Sequence, residues 1–261
     1  MIKLAAFDID GTLFDERRGE FPASTVEALR QLHHKGILIV IATGRPPQSA
    51  QTLREAEIFP DYFVCSNGHL VIGRDGAVLL EESFSEELAE AVWNYCRPRK
   101  IGLLWKYTDC TAVCRGDPEF DLIFSKNKKQ PLDVRYDAAM HLRRRPNGGC
   151  LACSVDELAR FNEAFNGQCW AVDINGRSSD LLLWGVTKQT GFVNLLERIG
   201  ISPAECIAFG DNLNDLEMLR FAAIGVSMGN GDPLLKAVSD YVTETVDQDG
   251  IFRGLKHFHL I

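Results

Sequence analysis

Short apolar runs alternate with helical patterns at both ends of this chain, and this alternation constrains the fold more than any other feature. Residues 4–9, 37–42 and 206–209 are almost wholly apolar and have the length of strands. Strands that are buried on both faces have this composition, and they occur where helices cover both sides of a parallel sheet. The alternation predicts an α/β fold with a doubly wound parallel sheet, built from residues 1–81 and 186–261.

Polar and glycine-containing sequences mark where elements begin and turn. Ser24 and Glu27 have the spacing of a capping box, which predicts that a helix opens there. The dipeptides Asn67-Gly68 and Asp75-Gly76 favour hairpin turns. We therefore expect the third strand, residues 62–66, to be followed by antiparallel strands.

Residues 82–185 follow a different pattern from the flanking segments. Strand-like runs there succeed one another through turn signals, and only a few helical stripes interrupt them. Runs of strands with few helices are typical of an α+β module. The simplest architecture is a parallel core that is interrupted by an inserted α+β domain at 82–185.

Composition excludes several classes of protein. The chain has 261 residues, of which 46% are hydrophobic and 25% charged, with a net charge of −8. This apolar content excludes disorder, and no apolar run approaches the roughly 20 residues of a membrane span. No basic stripe predicts a nucleic-acid partner, and no obligatory protein partner is evident. Asp8 interrupts the apolar start before a signal-peptide core could form, so we expect a cytoplasmic protein.

The eight cysteines fit a reducing compartment, where disulfides are rare. Three of them lie inside apolar, strand-like runs and are expected to be small buried hydrophobic residues: Cys65, Cys169 and Cys206. Two close pairs could suggest a zinc site: Cys110 with Cys114, and Cys150 with Cys153. These pairs lie far apart and no histidine stands at ligand spacing, so zinc is not predicted.

Four polar clusters follow predicted strands or open predicted helices, and ligands of open parallel sheets bind at the carboxyl ends of the strands. The clusters are Asp8-Ile9-Asp10-Gly11-Thr12-Leu13, Thr43-Gly44-Arg45, Lys188, and Gly210-Asp211 with Asn214-Asp215. Each alone is typical of a loop or a helix cap. Together they predict a phosphoryl-transfer site. Converging carboxylates need a balancing cation, and their hard oxygen atoms suit Mg²⁺. Thr43 and Lys188 add a hydroxyl group and a positive charge for phosphoryl oxygens.

These four clusters resemble, in order, the four motifs of the haloacid dehalogenase (HAD) superfamily. The insertion between the second and third motifs is similar to the C2 cap of the Cof-type, subfamily IIB phosphatases, which include hexose-phosphate phosphatases. Asn67-Gly68 and residues 223–230 also match that subfamily, whereas His69 replaces the small residue that usually follows the Asn-Gly pair. The resemblance implies a Rossmann-like core at 1–81 and 186–261. It also implies a C2-type cap at 82–185 that determines substrate specificity.

The resemblance further implies a role for each acidic residue. Asp8 is the nucleophile and forms an aspartyl-phosphate. Asp10 protonates the leaving oxygen and then activates the hydrolytic water. Mg²⁺ is held by the carboxylates of Asp8 and Asp211 and by the backbone carbonyl of Asp10. Asn214, which is grouped with the phosphate-binding residues, and Asp215 orient the water around the metal.

The remaining motif residues are implied to bind the phosphoryl group. Thr43, the Gly44 N–H and Lys188 hold its oxygen atoms, and Asp215 orients Lys188. Arg45 either reaches the substrate or supports the loop. These assignments predict a Mg²⁺-dependent phosphatase whose partners are small phosphorylated metabolites, with sugar phosphates first.

Two other functions are compatible with parts of this pattern. A phosphomutase acting on sugar phosphates would use the same residues, and nothing in the sequence excludes it. A phospho-receiver module would combine carboxylates, Mg²⁺, a threonine and a lysine. Such a module is about half as long as this chain and lacks a second aspartate two residues after the nucleophile.

The inserted domain leads to an expectation about substrate size. Because it is joined to the core by two short connections, we expect it to close over the site as a lid that admits only small phosphomonoesters. We also expect the turn from Asn67 to His69 to contribute to the wall of the pocket.

Overall fold

The computed structural model describes residues 1–115, 133–174 and 176–261, and these divide into two compact units. The first unit comprises Met1–Thr43, Leu53–Leu80 and Thr187–Ile261. The second unit comprises Gly44–Thr52 and Glu81–Val186. Gly44–Thr52, Glu81 and Val186 group with the second unit, whereas the sequence predicted that they belong to the core.

The strands and helices of the described residues are numbered separately in chain order. The strands are β1 (Leu4–Phe7), β2 (Leu38–Ala42), β3 (Tyr62–Cys65), β4 (Leu70–Gly73), β5 (Val78–Glu81), β6 (Gly102–Lys106), β7 (Thr111–Arg115), β8 (Val134–Tyr136), β9 (Gly149–Ala152), β10 (Cys169–Asp173), β11 (Ser178–Leu183), β12 (Cys206–Gly210), β13 (Ile224–Ser227) and β14 (Tyr241–Val242). The α-helices are α1 (Ala23–His34), α2 (Ala50–Glu55), α3 (Glu86–Arg99), α4 (Val155–Ala164), α5 (Lys188–Ile199), α6 (Leu216–Phe221), α7 (Pro233–Val238) and α8 (Gly250–His257).

The first unit is built on a mostly parallel sheet. Within the described residues its strand order is β14-β13-β12-β1-β2-β3-β4-β5. All pairs from β14 to β3 are parallel, and β4 runs antiparallel to β3. The structure therefore confirms the α/β class and the antiparallel strand that was predicted after Asn67-Gly68. Strand β1 lies between β12 and β2, so the residues that follow it emerge in the middle of the sheet.

Alternate side chains of β1 enter two separate cores. Ala5 and Phe7 belong to the core that contains residues of α1 and α8, and the Phe7 ring stacks on Phe209 with centroids 5.1 Å apart. Leu4 and Ala6 belong to the opposite core, which contains residues of α5 and α6. Because each side chain of the strand is covered, an uninterrupted apolar run is required here. This confirms that the sheet is wound on both faces.

The start of α1 differs from the prediction. The helix begins at Ala23, directly after Pro22, and no side chain caps it. The Pro22 carbonyl accepts hydrogen bonds from the N–H groups of Thr25 and Val26, at 2.9 and 3.2 Å. Ser24 therefore lies inside the first turn, where its buried hydroxyl has no hydrogen-bond partner among the described residues. The predicted capping box was wrong, because the helix begins one residue before Ser24 and the Pro22 carbonyl accepts its first backbone hydrogen bonds.

The second unit has the α+β composition that the sequence predicted. Its sheet has the order β10-β11-β9-β6-β7-β8 in the described part of the chain. Its pairs are antiparallel except for the parallel pair of β7 and β8. Residues of α3 and α4, among them Val92 and Phe161, share one core with Leu103 and Trp105 of β6.

Two further expectations concern burial and membrane insertion. Cys65, Cys169 and Cys206 are buried free thiols, which confirms their prediction as small core residues. Across the residues that the structure describes, none of the helices combines the length and the apolar character that a membrane span requires.

The turn between β3 and β4 makes a very close contact with the start of α5. Gly68 has φ of +100°, and a Cβ atom placed on it would lie 1.9 Å from the Thr187 carbonyl oxygen. Gly191 of α5 is also too close for a side chain, since its Cβ would lie 2.7 Å from the Gly68 Cα. The backbones can approach this closely only because both residues lack side chains.

This contact predicts that Gly68→Ala destabilises the protein by at least about 2 kcal/mol, because backbone strain and overpacking each cost about 1–3 kcal/mol. Gly36→Ala is the matched control, because Gly36 also has positive φ but nothing lies within 4 Å of its Cβ position. Urea unfolding gives the loss of unfolding free energy for each variant. The difference between the two losses is the cost of the clash at Gly68, because both variants carry the strain of positive φ. Equal losses of unfolding free energy would contradict the assigned contact.

Candidate active site

The first acidic cluster lies directly after β1. Asp8 is 5% exposed, and its N–H donates to the Phe209 carbonyl of β12 at 3.1 Å. Asp10, two residues later, is half-buried. Gly11 then turns the chain with φ of +77°, and a Cβ on Gly11 would lie 2.2 Å from Asp211 Oδ2. The loop after β1 therefore packs against the carboxylate of Asp211.

The second acidic cluster follows β12. Thr12 Oγ1 donates to Asp211 Oδ1 at 3.3 Å, which connects the two clusters. The N–H groups of Asp211 and Asn212 donate to Asp215 Oδ2 at 3.1 and 3.2 Å. Asp215 is fully buried. Its carboxylate therefore organises the backbone that carries Asp211.

Lys188 connects the two clusters from a third element. It is the first residue of α5, whose start is capped by reciprocal bonds between Thr187 and Thr190. Its Nζ donates to Asp8 Oδ1 at 2.7 Å and to Asp215 Oδ1 at 2.6 Å. Lys188 is only 1% exposed. The structure thus brings together residues that stand far apart in the sequence.

The pKa values of these groups reflect burial and an excess of negative charge. Burial raises the pKa of Asp8 to about 7, against the opposing effect of Lys188 and with contributions from Asp215 and Asp10. Burial, Asp8 and Asp215 raise the pKa of Asp211 to about 8. Burial alone would lower the pKa of Lys188, but Asp215 and Asp8 outweigh it and hold that pKa above its usual range. The cluster is short of positive charge.

The same carboxylates fit a divalent metal ion. Asp8, Asp211 and Asp215 each offer one oxygen atom, and these atoms lie within 4.8 Å of one another. Asp215 already uses one oxygen for Lys188 and the other for two backbone N–H groups. Asp8 and Asp211 are therefore the better ligands. Carboxylate oxygens suit Mg²⁺, and a divalent charge would offset the repulsion between them.

Thr43 and Asn214 are joined by Asn67, which the predicted set of site residues did not include. The Thr43 N–H donates to the Val64 carbonyl at 2.8 Å, and its own carbonyl accepts from the Asn67 N–H at 3.0 Å. Asn214 Nδ2 donates to Asn67 Oδ1 at 3.1 Å. Asn67 is buried with φ of 53°, a backbone conformation that asparagine tolerates better than most residues. The Asn67-Gly68 dipeptide was the sequence signal that could have identified Asn67. The predicted set of site residues also omitted Thr12, which donates to Asp211.

Three other residues of interest have different surroundings. Gly44 and Arg45 group with the second unit; Arg45 is half-buried, and the Gly44 carbonyl accepts a hydrogen bond from Lys106 Nζ at 2.9 Å. His69 is fully buried, and its Nδ1 lies 2.7 Å from the Ser66 carbonyl oxygen. A carbonyl oxygen only accepts, so Nδ1 carries the proton. This burial differs from the expected place of His69 in a pocket wall.

Comparison with known proteins gives a consistent result. The sequence profile of the haloacid dehalogenase-like hydrolase family matches residues 5–255. The 5-amino-6-(5-phospho-D-ribitylamino)uracil phosphatase YcsE of Bacillus subtilis (strain 168) is 25% identical over 262 residues, which cover 99% of this chain and 96% of that protein.

Two solved structures are similar over almost the whole chain. The HAD subclass IIB sugar phosphatase BT4131 superposes with a TM-score of 0.90 at 30% identity, covering 99% of this chain and 100% of that one. The HAD-superfamily phosphatase BT1666 of Bacteroides thetaiotaomicron has a TM-score of 0.89 at 28% identity, with 100% and 96% covered. With a family profile that spans nearly all of its residues, the chain belongs to the haloacid dehalogenase-like hydrolases and is a phosphatase that acts on phosphate esters.

Proposed function

We propose that this protein is a Mg²⁺-dependent phosphatase that hydrolyses small phosphomonoesters, sugar phosphates first among them, through an aspartyl-phosphate on Asp8. One observation carries the proposal. The buried ammonium of Lys188 binds Asp8 and Asp215, and the Asp211 carboxylate lies within 4.8 Å of both. The ends of β1 and β12 therefore bring together the proposed nucleophile Asp8, the positive charge of Lys188, and Asp8 and Asp211 as a candidate pair of metal ligands.

Asp8 is the proposed nucleophile. One carboxylate oxygen attacks phosphorus, the bond from phosphorus to the ester oxygen breaks, and the phosphoryl group becomes bonded to Asp8. The attack requires the ionised carboxylate. Lys188 favours that form by its charge and by its hydrogen bond to Oδ1, whereas burial opposes it.

Asp10 is the proposed general acid and base. It donates a proton to the oxygen of the leaving alcohol, and its carboxylate then accepts a proton from the water that attacks the aspartyl-phosphate. Asp10 is half-buried whereas Asp8 is buried, so its environment is more polar. Two carboxylates with different surroundings are suited to two different roles.

The phosphoryl oxygens need positive charge and hydrogen-bond donors. We assign these functions to Lys188, the Thr43 hydroxyl and the Gly44 N–H, with Arg45 contacting the substrate or supporting the loop. Asp215 keeps the Lys188 ammonium in place through its 2.6 Å hydrogen bond. Fixed donors of this kind stabilise the charge that develops in the transition state.

The metal would be held by the carboxylates of Asp8 and Asp211 and by the Asp10 carbonyl, with Asn214 orienting the surrounding water and Asp215 orienting Lys188. When bound, Mg²⁺ would neutralise negative charge on the transferring phosphoryl group. The raised pKa values of Asp8 and Asp211 support this assignment, because they indicate that the carboxylates lack sufficient positive charge.

The substrate class is inferred from the chemistry of similar proteins. BT4131 is named a sugar phosphatase, and the name of YcsE specifies a substrate with a phosphorylated ribityl group. Both substrates are phosphate monoesters of a polyhydroxylated carbon chain. We therefore place sugar and polyol phosphates first for this chain. The predicted lid and the cytoplasmic location stay predictions.

The nucleophile assignment predicts that Asp8→Asn lowers kcat by about 10⁴-fold or more, because an amide cannot replace the attacking carboxylate. Asp75→Asn is the matched control. Asp75 accepts a hydrogen bond from the Ala77 N–H in an exposed turn, and an amide oxygen can do the same. Phosphate release and circular dichroism are measured for both variants. A folded Asp8→Asn variant that keeps activity within tenfold of the wild type would disprove the assignment.

The metal assignment predicts that a chelator abolishes activity and that added Mg²⁺ restores it. Asp211→Asn should raise the Mg²⁺ concentration for half-maximal activity at least tenfold, since it removes one charged ligand. Mg²⁺ should also raise the free energy of unfolding of the wild type, by about 2.7 kcal/mol at a hundred times its Kd. An increase in the melting temperature would show this stabilisation. Full activity of the wild type in excess chelator would contradict a metal-dependent mechanism.

The substrate assignment predicts a ranking in a screen for phosphate release. Hexose, pentose and polyol phosphates should have higher kcat/KM values than nucleotides, pyridoxal phosphate or a folded phosphoprotein. The fate of the phosphoryl group distinguishes hydrolysis from mutase activity. Isomeric sugar phosphates without release of inorganic phosphate would indicate a phosphomutase. A phosphoprotein that is dephosphorylated faster than every metabolite would contradict the proposed substrate class.

A further inference from the structure

A second buried lysine lies in the second unit, outside the cluster around Lys188. Lys106 is the last residue of β6 and is 6% exposed. Its Nζ donates to Asp180 Oδ1 at 2.7 Å and to the Gly44 carbonyl oxygen at 2.9 Å. All three residues belong to the second unit. A buried ammonium is therefore directed at the backbone of the Thr43-Gly44-Arg45 motif.

The ammonium of Lys106 stays charged in this environment. Burial favours the neutral amine, but the adjacent Asp180 carboxylate outweighs burial and raises the pKa of Lys106 above its usual range. The Cys150 thiol also contacts Asp180, with its sulfur 3.6 Å from Oδ1. A buried ion pair costs desolvation energy and is weak evidence for a role in stability alone. Its contact with Gly44 suggests a different purpose.

Gly44 is a position where the backbone needs external support. Glycine has the widest conformational freedom of any residue, so a loop that passes through it is not held by local sterics. The segment is held at a second point as well, because Gln48 Nε2 donates to the Tyr107 carbonyl at 3.3 Å. Two consecutive residues, Lys106 and Tyr107, therefore fix the chain just after Thr43.

Fixing the Gly44 carbonyl also fixes the amide that follows it. The peptide bond is planar and trans, so the C=O of Gly44 and the N–H of Arg45 point in opposite directions. A cation on the carbonyl oxygen polarises the peptide group and strengthens its N–H as a donor. Lys106 thus controls the orientation and the polarity of the Gly44–Arg45 peptide group, which directly follows the Gly44 N–H that is assigned to the phosphoryl group.

We propose that Lys106, held by Asp180, is a positioning residue for phosphate binding: it acts through the Gly44 carbonyl to set the Thr43-Gly44-Arg45 loop for the phosphoryl group. The inference rests on the proposed function, in which this loop binds phosphoryl oxygens. Lys106, Asp180 and Gly44 all lie in one unit, so the proposed positioning contact is made within that unit.

The test replaces the ion pair as a unit, so that neither charge is left buried alone. Lys106→Met combined with Asp180→Asn removes the bond to Gly44, whereas Lys106→Arg keeps a cation at the same position. The structural control is Asn162→Leu. It breaks two hydrogen bonds between the Asn162 amide and Ala171 elsewhere in the second unit and leaves Gly44 untouched.

Binding of inorganic phosphate in the presence of Mg²⁺ is measured by calorimetry, together with KM, kcat and the melting temperature. The double variant should bind phosphate at least tenfold more weakly, a loss of about 1.4 kcal/mol, with a matching increase in KM. Lys106→Arg should recover most of the affinity. Asn162→Leu should lower the melting temperature and leave the phosphate Kd unchanged.

The outcomes separate this inference from the proposed function. Equal phosphate affinity in the double variant and the wild type, or no phosphate binding by the wild type, overturns the role of Lys106. The role of Lys106 is also overturned if phosphate affinity falls together with the melting temperature in every variant, Asn162→Leu included. A wild type that hydrolyses no phosphomonoester refutes the proposed function, while its phosphate affinity still decides the role of Lys106.

Discussion

The ion pairs of Lys188 are the interaction on which the candidate site depends. The ammonium connects the residue after β1, Asp8, with the turn after β12, Asp215, and its own helix begins at that point. Three elements therefore meet at one buried charge. Removing it would leave two carboxylates buried without compensation, which is strongly unfavourable. The parallel sheet keeps this arrangement in place, because β1 and β12 are neighbours.

The carboxylates around Lys188 fall into two groups: one whose oxygen atoms are all occupied by hydrogen-bond donors, and others that can still bind a metal ion. Both oxygen atoms of Asp215 accept hydrogen bonds, one from Lys188 and the other from backbone N–H groups. Asp215 therefore stabilises the arrangement of the site. Asp8 and Asp211 keep capacity for a metal ion. Burial and mutual repulsion raise their pKa values, and a bound cation would relieve this unfavourable electrostatic state.

The second unit uses the same chemistry for another purpose. In the Lys106–Asp180 pair, as in the pair of Lys188 with Asp215, an aspartate holds a buried lysine; Asp215 is fully buried, whereas Asp180 is half-buried. The lysine then acts on a backbone carbonyl instead of a carboxylate. The sequence contained only a weak signal for this pair, a lysine at the end of an apolar run and an aspartate shortly before another. Lysine and aspartate in such places are ordinarily solvated.

The sequence by itself determined the order of strands and helices, the α/β class, and the polar motifs that follow the strands. Hydrophobic periodicity and turn residues act over a few neighbouring positions, so these features can be recognised locally. The tertiary structure decided that Asn67 joins Thr43 to Asn214 and that His69 is buried. Each of these outcomes depends on which distant groups pack together and on how much water they exclude, and local spacing in the chain does not encode either.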